Sequence, residues 1–191
     1  MVDYGSGNTG SLCKALDHLG ADWRLAGEPE EIAGAERIVF PGVGSFGAVM
    51  ERLDERGLTG ALVDAISDGK QFLGICVGLQ VLFSGSDESP DVQGLGIVDG
   101  LCARFRQGKV PQIGWNEISS TEPELLAVGH YYFVNSYYVV PTDREIVLAT
   151  ADYHGDFTAA VKSGNIVATQ FHPEKSGALG LGFLRNWLDA G

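Results

Sequence analysis

Residues 71–83 hold the feature that most restricts what this chain can fold into. The apolar run Gln71–Ile75 leads into the glycine-flanked turn Gly74-Ile75-Cys76-Val77-Gly78, and a second apolar run, residues 79–83, follows at once. A short apolar run bounded by glycine is typical of a buried strand, and the second run predicts a helix. A strand, a tight turn and a helix in this order form the elbow that projects a nucleophile from the carboxyl edge of a parallel sheet.

The first half of the chain alternates between predicted helices and predicted strands. Residues 8–20 carry apolar side chains at helical spacing and end in Gly20, which can adopt a left-handed conformation. Residues 23–26 and Arg37–Phe40 predict strands, and the long segment before Gln71–Ile75 has helical periodicity. Parallel strands need such crossover helices, so we predict an α/β fold.

The second half is richer in predicted hairpins. A polar loop follows Ser84, and Leu181, Leu184 and Leu188 share one face of a predicted C-terminal helix. Strand-like stretches lie between them at residues 97–105, 113–118, 131–140, 146–149, 157–161 and Ile166–Thr169. No linker interrupts the chain, which predicts a single domain over residues 1–191.

Composition and charge exclude several classes of function. A formal net charge of −12 opposes binding to nucleic acid, and no phosphate-binding GxxxxGK[ST] loop is present. The three cysteines form no CxxC pair and no HExxH pattern occurs, so we expect reduced thiols, no metal and no other cofactor. No apolar run is long enough to span a bilayer and no secretory signal is visible, which predicts a cytoplasmic protein that does not enter membranes.

Cys76 is the candidate nucleophile, because glycines permit the strained turn and the start of the predicted helix favours the thiolate form. Near the C-terminus, His172 and Glu174 are two residues apart and face the same side of an extended chain. Glu174 would then orient His172 to accept the Cys76 proton. The alternatives are a small buried cysteine and a histidine that merely ends a strand.

A glycine-rich loop, residues 41–47, directly follows the predicted strand Arg37–Phe40. Ligands of parallel sheets gather beyond the carboxyl ends of the strands. Backbone N–H groups of this loop, together with that of Val77, would bind an oxyanion, the interaction that usually lowers an acyl-transfer barrier most. The alternative is a plain turn before the next helix.

Three motifs together, GICVGLQ (residues 74–80), QFHPEKS (170–176) and PGVGSFG (41–47), resemble the triad-type glutamine amidotransferases. Residues 109–116 and 132–137 narrow the resemblance to the glutaminase subunits of imidazole glycerol phosphate synthase, and it covers essentially the whole chain. It implies a class I glutamine amidotransferase-like, flavodoxin-like fold: a three-layer sandwich whose mostly parallel central sheet is flanked by helices, with an additional antiparallel, hairpin-rich part.

The resemblance also implies a reaction. Glutamine would be hydrolysed to glutamate and ammonia through a γ-glutamyl thioester, with Cys76 as nucleophile, His172 as general acid and base, and Glu174 orienting the imidazole. Ammonia would pass to a separate (β/α)₈-barrel cyclase, the partner in a heterodimer that makes imidazole glycerol phosphate and AICAR in histidine biosynthesis. Trp115 would lie near that partner. The remaining implied residues are Val43 or Gly44 with Val77 at the oxyanion site, and Gln80, Ser136 and Tyr137 around glutamine.

The chain departs from the family pattern in three places, one of which is Thr9-Gly10, where the family more usually has Leu-Arg. Family members usually have an apolar strand before the motif that begins at Asp3, and only two residues precede it here, so we expect most of the first strand to be missing. Asn135 stands where the family often has histidine, which puts glutamine binding or coupling to the partner in doubt. The other cysteines and histidines fit no motif and are predicted to be structural or surface residues: Cys13, Cys102, His18, His130 and His154.

Three other functions compete with this interpretation. An amidotransferase subunit of another pathway, such as anthranilate synthesis, would share the triad, although residues 41–47 and 114–116 argue against it. A cysteine hydrolase of γ-glutamyl peptides would need neither partner nor ammonia route. A non-catalytic module that kept the fold is the third, and the intact Cys76, His172 and Glu174 oppose it.

Overall fold

The computed structural model describes residues 1–5 and 9–190, and in its first half helices and strands alternate. In chain order the elements are α1 (Gly10–His18), α2 (Pro29–Ala33), β1 (Arg37–Phe40), α3 (Phe46–Glu55), α4 (Leu58–Ser67), β2 (Gln71–Ile75) and α5 (Val77–Gln80). The predicted β1 and β2 are confirmed at both ends. The helix predicted over residues 8–20 is confirmed as α1, and Gly20 follows it with a φ of 71°, whereas the predicted start at Asn8 lies outside the described residues.

The second half consists mainly of strands. They are β3 (Phe83–Ser86), β4 (Val98–Arg104), β5 (Gln112–Ser120), β6 (Gly129–Asn135), β7 (Tyr137–Pro141), β8 (Val147–Asp152), β9 (Asp156–Ser163) and β10 (Ile166–Thr169). A 3₁₀ helix at Pro173–Lys175 and α6 (Gly177–Asp189) complete the order. The predicted C-terminal helix and most predicted strands of this half are confirmed, with ends that differ by a few residues.

The ten described strands form one mixed sheet. Its main path runs β1-β2-β10-β9-β7-β4-β3, while β8 pairs with β9, β5 with β8, and β6 with β5. Pairing is parallel between β1 and β2, β2 and β10, and β3 and β4, and antiparallel in the hairpin-rich remainder. The predicted α/β class is confirmed. The antiparallel part, which was expected as an addition to a mostly parallel sheet, contains more of the strand pairings than the parallel part does.

Helices cover both faces of the parallel part, which gives three layers. On β1, Ile38 and Phe40 pack with residues of α3 and α4 in one core cluster, and Val39 packs with α1 and α6 in the other. This alternation is the two-residue period of a strand. Phe40 pairs with Gly74, and Gly74 pairs with Ala168, so the loops after β1, β2 and β10 leave the sheet at one edge.

The strand predicted over residues 23–26 is wrong in extent. Only Ala26 pairs, in a single parallel bridge with Val2. The Val2 N–H donates to the Val39 carbonyl oxygen of β1 over 2.9 Å. Residues 1–3 therefore occupy the strand position between β1 and Ala26, and they pair with the segment around Ala26 through one bridge instead of a ladder.

The helix predicted over residues 79–83 is also wrong in extent, since α5 ends at Gln80 and Phe83 begins β3. The carbonyls of the two residues between them accept hydrogen bonds from Leu95 and Ile97 over 2.7 and 2.9 Å. Pairing with a distant segment therefore overrides the local helical pattern.

The single strand predicted over residues 131–140 is two strands. β6 pairs with β5, whereas β7 pairs with β4, and Ser136 lies at the change of partner. The helical segment between β1 and β2 is likewise divided, because Gly57 adopts a φ of 67° between α3 and α4.

Among the described residues, no helix has both the length and the apolar character needed to cross a membrane.

Candidate active site

Cys76 lies in a strained turn between β2 and α5. Its φ of 51° and ψ of −104° fall outside the regions that non-glycine residues ordinarily occupy. Glycines on both sides are required: a Cβ on Gly74 would lie 2.5 Å from the Gly78 carbonyl oxygen, and a Cβ on Gly78 would lie 2.8 Å from that of Phe40. The Cys76 N–H donates to the carbonyl oxygen of Thr169 in β10 over 2.7 Å. The predicted elbow is therefore present.

His172 and Glu174 form a buried pair beside this turn. His172 Nδ1 donates to Glu174 Oε1 over 2.8 Å, and the two side chains are 6% and 8% exposed. The extended chain that we expected to align them is absent, because Pro173 begins a 3₁₀ helix that carries Glu174 in its first turn. Proline fixes φ near its helical value, so the carboxylate reaches the ring by a turn of the chain.

Opposing influences set the pKa of His172. Burial alone lowers this pKa, because it disfavours the charged ring. Hydrogen bonds with the Cys76 and Glu174 side chains, and the charges of both, act in the other direction and prevail, so the pKa rises from 6.5 to about 9. Since Glu174 engages Nδ1, Nε2 is the nitrogen left for the sulfur. At neutral pH the ring therefore holds a proton next to the nucleophile.

Two hydrogen-bond routes fix the backbone of His172 to Tyr132 of β6, one direct and one through Ser176. Its N–H donates to the Tyr132 carbonyl oxygen over 2.9 Å. The buried Ser176 hydroxyl donates to the His172 carbonyl oxygen over 2.7 Å and accepts from the Tyr132 N–H over 2.9 Å. The sequence motif assigned no catalytic step to Ser176. The sequence signal for its contact with His172 is their spacing of four residues, from which a hydroxyl can reach back to a carbonyl.

The glycine-rich loop after β1 lies against the elbow. A Cβ on Gly42 would lie 2.6 Å from the Ile75 carbonyl oxygen, and Gly44 has a φ of 112°. The hydroxyl of Tyr4 lies 2.6 Å from the Val43 carbonyl oxygen and accepts from the Val43 N–H over 3.4 Å. In this conformation the Val43 N–H is therefore directed at Tyr4, a contact that no sequence motif announced.

One cavity of about 300 Å³ is lined by the three proposed triad residues together with Val43 and Gly44. This volume is at the lower end of the range for small-molecule sites. A larger cavity, of about 400 Å³, lies beside Arg37 at the amino end of β1, and the described residues that line it include no cysteine, serine or histidine. The chemistry of the smaller cavity makes it the candidate site.

The other sequence-predicted residues lie around the elbow instead of lining this cavity. Val77 begins α5, where helix N–H groups lack intrahelical partners. Gln80 is 5% exposed, and its Nε2 donates to the Tyr137 carbonyl oxygen over 3.3 Å. Ser136 separates β6 from β7. The roles of Gln80, Ser136 and Tyr137 in glutamine binding stay predictions.

The remaining cysteines and histidines lie where the sequence predicted. Cys102 is fully buried, and burial together with the charge of Glu88 raises the pKa of its thiol to about 12, so it stays protonated. Cys13 is half-buried, and His18, His130 and His154 are exposed. Across residues 1–5 and 9–190, no three His, Cys, Asp or Glu residues are grouped so that they could hold a metal ion.

An exposed apolar surface borders the cavity. Ile113 and Trp115 of β5 are 62% and 56% exposed, and they pair with Val134 and Tyr132 of β6, so the four side chains share one face. The rings of Trp115 and Tyr132 meet edge to face, with centroids 5.9 Å apart. Val134 also lines the cavity. We call these four side chains the hairpin face.

Comparisons with known proteins agree with this geometry. Residues 1–189 match the family model for class I glutamine amidotransferases. The imidazole glycerol phosphate synthase subunit HisH of Methanothermobacter thermautotrophicus is 47% identical over 99% of this chain and 96% of its own. The chloroplastic imidazole glycerol phosphate synthase hisHF of Arabidopsis thaliana is 42% identical over 98% of this chain, which spans 33% of the plant protein.

Structural comparison confirms the fold that the resemblance implied. A crystal structure of a glutamine amidotransferase superposes with a TM-score of 0.81 at 20% identity, covering 98% of this chain and 96% of that one. The fold, the match over residues 1–189 and the identity of 47% to a full-length relative all point to one family. The chain belongs to the class I glutamine amidotransferases, among the HisH subunits of imidazole glycerol phosphate synthase.

Proposed function

We propose that this chain, a single amidotransferase domain over residues 1–191, hydrolyses glutamine in the cytoplasm with Cys76, His172 and Glu174. The observation that carries the proposal is the buried His172–Glu174 pair, which shares a cavity with a cysteine in a nucleophile elbow. A nucleophile, a base and a carboxylate that orients the base are what acyl transfer from an amide requires.

In the first half of the reaction, the Cys76 sulfur attacks the carboxamide carbon of glutamine. The amide nitrogen of glutamine takes the Nε2 proton of His172, and the C–N bond breaks. Ammonia departs, and the γ-glutamyl group remains on Cys76 as a thioester. In the second half, water gives one proton to Nε2 while its oxygen attacks the thioester carbon. The C–S bond then breaks, which releases glutamate and restores the thiolate beside a protonated ring. Glu174 holds the Nδ1 proton throughout.

Each half passes through a tetrahedral oxyanion that needs N–H donors. Val77 offers one at the start of α5. On the loop side the Val43 N–H is directed at Tyr4, so the second donor is Gly44, or Val43 after its peptide rotates. That peptide joins Gly42 to Val43, and the glycines on both sides of Val43 permit the rotation. We infer that this loop is where the rate of glutamine hydrolysis is controlled.

The hairpin face suggests where a partner protein would bind. We infer that a (β/α)₈-barrel cyclase docks there and uses the ammonia to make imidazole glycerol phosphate and AICAR in histidine biosynthesis. Exposed aromatic and aliphatic side chains next to a catalytic cavity are typical of a docking surface, and aromatic anchors often dominate binding energy. The longer Arabidopsis relative, of which this chain spans 33%, supports a second unit working with this one.

The deciding experiment follows isotope-labelled amide nitrogen from glutamine in this chain alone and together with the barrel partner. We expect label in the imidazole product only when both proteins are present. Cys76→Ala should abolish hydrolysis and keep partner binding, and Cys13→Ala, a control at a cysteine outside the cavity, should keep both. Hydrolysis by Cys76→Ala would reject the nucleophile. Full hydrolysis without the partner, and no transfer of label, would favour the γ-glutamyl hydrolase.

A further inference from the structure

A buried side-chain amide contacts the sulfur of Cys76. Gln170 is fully buried, and its Nε2 lies 3.6 Å from Cys76 Sγ, within hydrogen-bond distance for sulfur. Its backbone is fixed as well, because its N–H donates to the Ala159 carbonyl oxygen over 2.8 Å. The reaction described above uses neither the amide nor this contact.

The neighbours of Gln170 determine which end of its amide faces the sulfur. Gln80 Nε2 lies 3.3 Å from the Tyr137 carbonyl oxygen, which can only accept, so the NH₂ group of Gln80 must point there. The same NH₂ group lies 3.1 Å from Gln170 Oε1. A flipped Gln170 would place two NH₂ groups against each other, so its oxygen faces Gln80 and its NH₂ faces Cys76.

The surroundings of the sulfur suit this donor. In the thiol form, Sγ–H can donate to the Val134 carbonyl oxygen at 3.9 Å. In the thiolate form that contact is lost, and the sulfur accepts from His172 and from Gln170. Hydrogen bonds from a neutral N–H to an anion in a dry site are among the stronger ones in proteins.

We propose that Gln170 is a fourth catalytic residue, whose side-chain amide donates to the Cys76 thiolate both as it attacks and as it leaves the thioester. Gln80 is the residue that positions this amide. The proposal rests on the role of Cys76 as nucleophile in the proposed function. It also explains why a fully buried polar side chain lies two residues before the catalytic base.

The test compares two variants with opposite structural consequences. Gln170→Glu keeps an acceptor for Gln80 and places a carboxylate oxygen against the sulfur, whereas Gln170→Met leaves Gln80 without its acceptor and the sulfur without a donor. We expect alkylation of Cys76 by iodoacetamide, followed by peptide mass, to shift to higher pH in both, and further in Gln170→Glu. At neutral pH the loss in rate should be about tenfold or more.

Two controls keep the result specific. Alkylation of the half-buried Cys13 in the same sample should not change. Asn165→Leu, which removes two amide hydrogen bonds at the far end of β10, should lower thermal stability and leave the Cys76 profile unchanged. If Gln170 were only structural, Gln170→Met would lower thermal stability and leave the pH dependence of Cys76 alkylation as in the wild type, which would overturn the proposal.

Turnover with the barrel partner separates this proposal from the function it rests on. We expect kcat for glutamine to fall about tenfold or more in both Gln170 variants while KM changes little, because the sulfur is stabilised during reaction and not during binding. Wild-type kcat in both variants, with Cys76→Ala inactive, would reject the role of Gln170 alone. An active Cys76→Ala would reject the nucleophile, and the role of Gln170 with it.

Discussion

At the scale of single residues, His172 makes the stability of the folded protein depend on pH. Its pKa is raised from 6.5 to about 9, so the folded protein holds this proton more tightly than the unfolded chain. The resulting stabilisation is complete below pH 6.5 and is lost as the pH rises through about 9. A shift of this size corresponds to about 3 kcal/mol.

His172→Gln tests this dependence, because it removes the titrating group from both the folded and the unfolded state. We expect the difference in free energy of unfolding between wild type and variant to shrink, by about 3 kcal/mol at most, as the pH rises from below 6.5 to above 9. Urea unfolding across that range measures it. A difference that stays constant with pH would contradict the prediction.

At the scale of elements, close packing of the loop after β1 against the elbow makes Gly42 irreplaceable. Its added Cβ would lie 2.8 Å from the Cys76 Cβ as well as close to the backbone of Ile75. We expect Gly42→Ala to lower the free energy of unfolding by about 1–3 kcal/mol and to reduce kcat. In the matched control, Gly60→Ala, the new methyl on α4 meets nothing within 4 Å, and stability should rise by up to about 1 kcal/mol.

Ser176 joins two elements, the 3₁₀ helix and β6, through one hydroxyl. Ser176→Ala leaves the His172 carbonyl and the Tyr132 N–H without this partner, so we expect a loss of about 2 kcal/mol in free energy of unfolding. Because the base is then less firmly placed, kcat should fall more than KM changes. Ser119→Ala, at an exposed position of β5, should change neither quantity. A loss of stability with unchanged kcat would show that the contact does not place the base.

At the scale of the whole molecule, we propose the hairpin face as the surface on which a second protein docks. Trp115→Ala should weaken binding of the barrel partner by about 2 kcal/mol, roughly thirtyfold in Kd, since aromatic anchors dominate such interfaces. Stability of the isolated chain should change by less than about 0.5 kcal/mol, because Trp115 is 56% exposed. Leu25→Ala, at an exposed leucine beside the bridge to Val2, is the control and should bind normally. Equal Kd values for the two variants would remove the hairpin face as the docking surface.

The sequence predicted what depends on local pattern or motif and missed what depends on distant neighbours. β10 was predicted at both ends, because an apolar, β-branched run lies between polar turns. No local signal marks the break at Ser136, since it arises where the chain exchanges β5 for β4. Within the site, a motif identified His172, whereas the contacts of Gln170 and Tyr4 depend on chain segments that meet only in the folded state.

The late position of β10 in the sequence has a consequence for the chain while it is being synthesised. β10 completes the sheet between β2 and β9, and the contact of Gln170 with Cys76 joins residues 94 positions apart. The proposed nucleophile therefore leaves the ribosome long before the base proposed to activate it. Under the proposed mechanism, a nascent or truncated chain that holds Cys76 without His172 cannot hydrolyse glutamine. Its β2 edge, however, is open to pairing with other chains.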